Sequence, residues 1–89
     1  MKVSFDQSFQ KSISKLKNKQ VAQRIIKLID QLEKAEKLTE ISNVKKLKGF
    51  QNYYRIRIGD YRLVLEQVEK EWILLIFIAH RKDIYDRLP

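Results

Sequence analysis

The sequence has no cysteine, a single histidine, a single tryptophan and only two glycines in 89 residues. Without cysteine there are no disulfides and no thiolate metal sites, and a reducing compartment is the simple expectation. The lone histidine, His80, has no second histidine and no acidic cluster beside it, so metal catalysis has no ligand set to rest on. No glycine-rich phosphate loop and no serine–histidine–acid arrangement is present. Long hydrophobic runs are missing too. The longest, Trp72–Ala79, is far too short to span a bilayer. The opening MKVSFDQSF lacks the apolar run of a signal peptide, and no polar low-complexity tract suggests disorder. These absences lead to the expectation of a cytoplasmic protein without metal, cofactor or membrane partner.

What is present is charge of one sign. Nineteen lysines and arginines stand against eleven acids, a formal net charge of +8. Such a balance favours polyanions or an acidic partner. Its distribution is more informative than its size. Lys45, Lys46, Lys48, Arg55, Arg57 and Arg62 crowd one short stretch in which Asp60 is the only acid. The excess is a patch.

A chain this short forms one domain, here residues 1–89. Lys2–Phe5 alternates, with Val3 and Phe5 on one side, and reads as a strand. Asp6 can cap a helix whose apolar stripe is Phe9, Ile13 and Leu16. Lys17-Asn18-Lys19 breaks it. Val21, Ile25, Leu28, Ile29 and Leu32 then share one face of a longer helix, and the two should pack as an antiparallel hairpin. Periodicity disappears from Leu38 to Asn52, where Gly49 marks a turn, so Lys45, Lys46 and Lys48 are expected in a loop. Tyr53–Ile58 alternates cleanly, with Tyr54, Ile56 and Ile58 on one side and Arg55 and Arg57 on the other. Gly59-Asp60 suits a tight hairpin turn into Tyr61–Glu69. After Lys70-Glu71, Trp72–Ala79 is apolar at nearly every position, as a strand covered on both faces should be. His80–Leu88 ends the chain as a short helix or tail, with Ile84 and Leu88 packing back. The expected fold is α+β in the order β-α-α-β-β-β, a helix hairpin on one face of a small, mostly antiparallel sheet.

On such a hairpin Arg55, Arg57 and Arg62 share the face away from the helices. Like charges so placed gain nothing for folding, while a guanidinium binds phosphate through two parallel bonds and keeps its charge. The plainer reading is a solvated basic sheet face. Lys45, Lys46, Lys48 and Lys82 are candidate phosphate contacts at the rim, and Tyr53 could stack a base. Arg81 follows directly from the last strand. Tyr85 and His80 are alternative proton acceptors. Histidine titrates near neutrality unaided, whereas a phenol with a pKa of about 10 needs cations nearby.

The order of elements, Leu47-Lys48-Gly49, the segment from Tyr54 to Val64 with its Gly-Asp-Tyr-Arg-Leu-Val hairpin, and the ending His80-Arg81 with Tyr85 resemble the RelE/ParE toxin superfamily, most of all its RelE branch. The resemblance implies a toxin that enters the ribosomal A site and cuts messenger RNA, neutralised by a cognate antitoxin. It also implies roles. Arg55 and Arg57 stand where the family carries basic residues, often lysine; Arg62 and Arg81 match its phosphate-stabilising arginines, and Tyr85 its late tyrosine. RNA supplies its own nucleophile, the 2′-hydroxyl, so the implied endonuclease needs no metal. Two other readings keep the fold: a ParE-like poison of DNA gyrase, and a non-catalytic RNA- or ribosome-binding module.

Overall fold

The computed structural model describes residues 1–84. Strand β1 (Lys2–Phe5) leads through Asp6 into helix α1 (Gln7–Lys15), and Asn18 starts helix α2 (Lys19–Lys34). Both caps follow from side chains that accept from free first-turn amides. Asp6 accepts from the Ser8 amide at 2.9 Å, and Asn18 Oδ1 from the Val21 amide at 3.1 Å. A single 3₁₀ turn (Leu38–Glu40) precedes β2 (Val44–Lys46), β3 (Tyr53–Ile58), β4 (Tyr61–Glu69) and β5 (Trp72–His80).

The five strands form one sheet in the order β1-β5-β4-β3-β2, antiparallel except for β1 beside β5. The expected helix hairpin and antiparallel strands are there, with one strand more. Residues 44–46, expected in a loop, form the edge strand β2. Three residues are too few to show an alternation; it is pairing with β3 that makes them a strand, Val44 opposite Ile56 and Lys46 opposite Tyr54.

The helices cover one face. Phe9, Val21, Ile25, Leu28 and Leu32 meet Ile56, Ile58, Leu63, Leu65, Ile73, Leu75 and Ile78 in the main core. Val3 packs against it, whereas Phe5 stays 44% exposed and stacks on Phe9. The opposite face holds a second, smaller cluster of Leu47, Val64, Phe77, Ala79 and Ile84, flanked by Phe50, Tyr53 and Ile76. Strand β5 is therefore interior and apolar on both sides, as its composition predicts.

Strand β1 stops at Phe5, which leaves the second half of β5 without a neighbour on that side. Helix α1 covers it. Ser8 Oγ donates to the Ile76 carbonyl, and one turn later buried Ser12 Oγ accepts from the Ile78 amide at 3.0 Å while donating to the Phe9 carbonyl at 2.9 Å. A buried strand edge must find partners for its backbone groups, and two serines four residues apart supply them. This fixes the end of β5 from which Arg81 emerges.

Candidate phosphate-binding site

In the β3–β4 hairpin Ile58 pairs with Tyr61 and Arg57 with Arg62, across a loop in which Gly59 takes a positive φ of 59°. Directly opposed residues of an antiparallel pair point to the same side. Arg57 and Arg62 thus project together, away from the helices, and Arg55 follows one pleat along. On the next strand Lys45 stands opposite Arg55 and joins them. Between these side chains lies a cleft of about 220 Å³ lined by Asn43, Val44, Lys45, Arg55, Arg57 and Arg62.

Arg62 is anchored by its own hairpin. Its Nη1 donates to the Gly59 carbonyl and to the Tyr61 carbonyl, each at 2.9 Å. Burial is the main influence holding its guanidinium below the ordinary arginine pKa; the charges of Arg57, Arg55 and Arg81 add to it, and Asp60 opposes. Three cations from two segments, β3 and the end of β5, therefore act on Arg62. Arg81 reaches the group from the end of β5. Its amide donates to the Asp60 carbonyl at 2.8 Å, and its Nε lies 4.0 Å from Asp60 Oδ1. Asp60 ties the end of β5 to the hairpin turn.

Not all the sequence candidates gather here. His80 pairs with Tyr61, so it faces the helix side, with its ring edge-on to the Tyr61 ring at 5.4 Å and Nδ1 accepting from the Lys82 amide at 3.2 Å. It is separated from the arginines by the alternation of its own strand. Lys46, opposite Tyr54, also points to the helix side, into a different cleft with Lys37, Leu38 and Lys70. A strand cannot send Lys45 and Lys46 to one rim as a loop could. Lys48 is exposed in the turn beyond β2, and Lys82 is exposed after Arg81. Tyr53 is on the arginine side but half-buried, tilted against Phe50 at a centroid distance of 6.1 Å. Tyr85 lies outside the described residues. Among the described residues no three histidines, cysteines or acids are grouped to hold a metal ion, and no helix is long and apolar enough to cross a membrane. Asn43 was missed by sequence reasoning. Its positive φ of 65° lets its carbonyl accept from the Arg57 amide at 3.2 Å, and the asparagine before a lysine pair was the available signal.

Residues 3–85 match the family described as the ParE toxin of type II toxin–antitoxin system, parDE. Toxin RelE3 of Methanocaldococcus jannaschii is 37% identical over 90 residues, covering all of both chains. Among solved structures, the RelB–RelE antitoxin–toxin complex from Methanococcus jannaschii superposes with a TM-score of 0.83 at 34% identity, covering 97% of this chain and 99% of that one. The archaeal RelE–RelB complex from Pyrococcus horikoshii OT3 gives 0.69 at 26% identity, over 90% and 93%.

Proposed function

This chain belongs to the RelE/ParE toxin superfamily, in its RelE-like branch, and from that premise we propose that it is the toxin of a type II toxin–antitoxin pair, an endoribonuclease that cuts messenger RNA on the ribosome. It acts in the cytoplasm, where translating ribosomes are, and a cognate antitoxin holds it inactive. The observation that carries the reading is the convergence of Arg55, Arg57 and Arg62 on one side of the sheet, with Arg81 close enough for its charge to act on Arg62.

The reaction is attack of the 2′-hydroxyl on the adjacent phosphate. Arg62 and Arg81 neutralise the charge that builds on the phosphorane, as preorganised donors aimed at developing charge do. Arg62 is suited to this because its hairpin carbonyls fix its plane before RNA arrives. Arg55 and Arg57 hold the backbone in register. Tyr85 takes the 2′-proton, a role that rests on the sequence resemblance alone; a phenol with a pKa of about 10 acts as a base at neutral pH only where cations stabilise its phenolate. The turn of His80 to the helix side, against Tyr61, supports Tyr85 over His80 in this role. No step calls for a metal. The products are a 2′,3′-cyclic phosphate and a 5′-hydroxyl.

Primer extension on translating ribosomes tests the activity, comparing wild type with Arg81→Ala and Tyr85→Phe; both variants should lose the cleavage stops. Mass spectrometry of the ends tests the chemistry, and a 3′-hydroxyl with a 5′-phosphate would overturn it. The description of the matching family as ParE keeps gyrase poisoning as the second reading. Intact messenger RNA with an induced DNA-damage response would favour that one.

A further inference from the structure

Arginines can hold the phosphorane, but they leave one proton unaccounted for. As the P–O5′ bond breaks, the departing oxygen becomes a strongly basic alkoxide unless it is protonated. A guanidinium gives up a proton far less readily than an ammonium does. Strand β3 sends only guanidiniums into the cleft. His80 and Lys46 face the helix side, and Lys82 is exposed beyond Arg81 and does not line the cleft. Of the residues that do line it, Asn43, Val44, Lys45, Arg55, Arg57 and Arg62, Lys45 alone carries an ammonium, a better proton donor than a guanidinium.

We propose that Lys45 is the general acid, a catalytic residue that protonates the 5′-oxygen; the inference rests on the RNA-cleaving reading above. The sheet order supports the assignment. Arg81 comes from the end of β5, Arg62 from β4, Arg57 and Arg55 from β3, and Lys45 from β2. The cationic row therefore has an arginine end on β5 and an ammonium end on the opposite edge strand. Phosphoryl transfer is roughly in line, with nucleophile and leaving group on opposite sides of phosphorus. A phosphate centred on Arg62 can turn its 2′-oxygen toward the β5 end and its 5′-oxygen toward β2. The balance is simple: the 2′-oxygen loses its proton to the base and bonds to phosphorus, the P–O5′ bond breaks, and Lys45 Nζ transfers a proton to O5′. The neutral amine then regains a proton from water. Lys45 is exposed, so the proton can return between turnovers and the residue can be replaced without disturbing the core.

The test compares ordinary RNA with RNA bearing a bridging 5′-sulfur at the scissile position, both presented on programmed ribosomes under single-turnover conditions. A thiolate, from a thiol of pKa about 8.5, leaves without help from an acid. On ordinary RNA, Lys45→Ala and Lys45→Arg should each cut about 10²-fold more slowly or worse, in the range of a lost general acid. On sulfur-bridged RNA both should return to within about tenfold of wild type, while Arg62→Ala stays defective on both substrates. Full activity of Lys45→Arg on ordinary RNA would overturn the proposal, because charge alone would then suffice. A deficit in Lys45→Ala that persists on the sulfur substrate would overturn it as well. Failure of wild type to cut either RNA would instead bring down the nuclease reading, and Lys45 with it.

Discussion

Arg62 occupies an uncomfortable position. The residue is half-buried, faces Arg57 directly across the hairpin, and feels the charges of Arg55 and Arg81 besides. Folding gains little from this, and a phosphate gains a great deal. Arg62→Ala is expected to lower cleavage by about 10²–10³-fold, the usual loss of one preorganised donor, with the thermal unfolding midpoint held or raised. Arg62→Lys should rescue little, since an ammonium cannot reproduce a planar fork seated on two carbonyls. Primer extension and a thermal melt on the same preparations check both. A different residue governs the acid side. The Asp6 carboxylate is held below its ordinary pKa, first by the Ser8 hydroxyl and then by the Ser8 amide. A carboxylate depressed on folding adds stability above its unfolded value of about 3.9, and that contribution fades as pH falls through the lower folded value. Acid should therefore loosen the start of α1, and Asp6→Asn should remove this dependence; amide shifts of Gln7–Phe9 followed from pH 5 to pH 2 would report it.

Among the elements, the contact between α1 and β5 carries more than its length suggests. Ser12→Ala leaves the Ile78 amide buried without a partner, at a cost of about 1–3 kcal/mol. Denaturant unfolding measures the loss, and hydrogen exchange should find the Ile78 amide less protected. The hairpin responds in the opposite sense. Arg57→Gln removes a like charge directly opposite Arg62 and should stabilise the fold by roughly 0.2–1 kcal/mol, less in high salt, while lowering cleavage. Elements whose residues carried their own pattern were plain in the sequence: α2 through its apolar stripe, β3 through alternation, the Gly59-Asp60 turn through its chemistry. Strand β2 was not. Its three residues have no period, and what makes them a strand is a partner several residues further along the chain.

At the scale of the whole molecule, the +8 charge is unevenly spent: Lys45, Arg55, Arg57 and Arg62 gather on one side of the β2–β3–β4 end of the sheet. Binding of an uncleavable RNA, carrying a 2′-deoxy residue at the scissile position, should weaken steeply with salt. For single strands the logarithmic slope changes by about 0.7 per phosphate neutralised, so removing Arg55, Arg57 or Lys45 should flatten it by about that amount each. Lys46→Ala, on the helix side, should leave the slope almost unchanged. Fluorescence anisotropy across a salt series distinguishes the two faces.

By itself the sequence determined the helix hairpin, the β3–β4 hairpin with its arginines on one side, and the apolar strand that lies inside the sheet. Each of these is written in a local period or a turn, and so is set by residues close together in the chain. The tertiary structure alone decided which cations share a site. Pairing of β2 with β3 sent Lys45 to the arginines and Lys46 away from them, and the register of β5 against β4 turned His80 to Tyr61. The stub of β1 left an edge of β5 that Ser8 and Ser12 complete. Register is a relation between distant segments, and a one-residue shift exchanges the two faces of a strand. That is why the basic character of this face was written along the chain, while the company each cation keeps waited for the sheet to close.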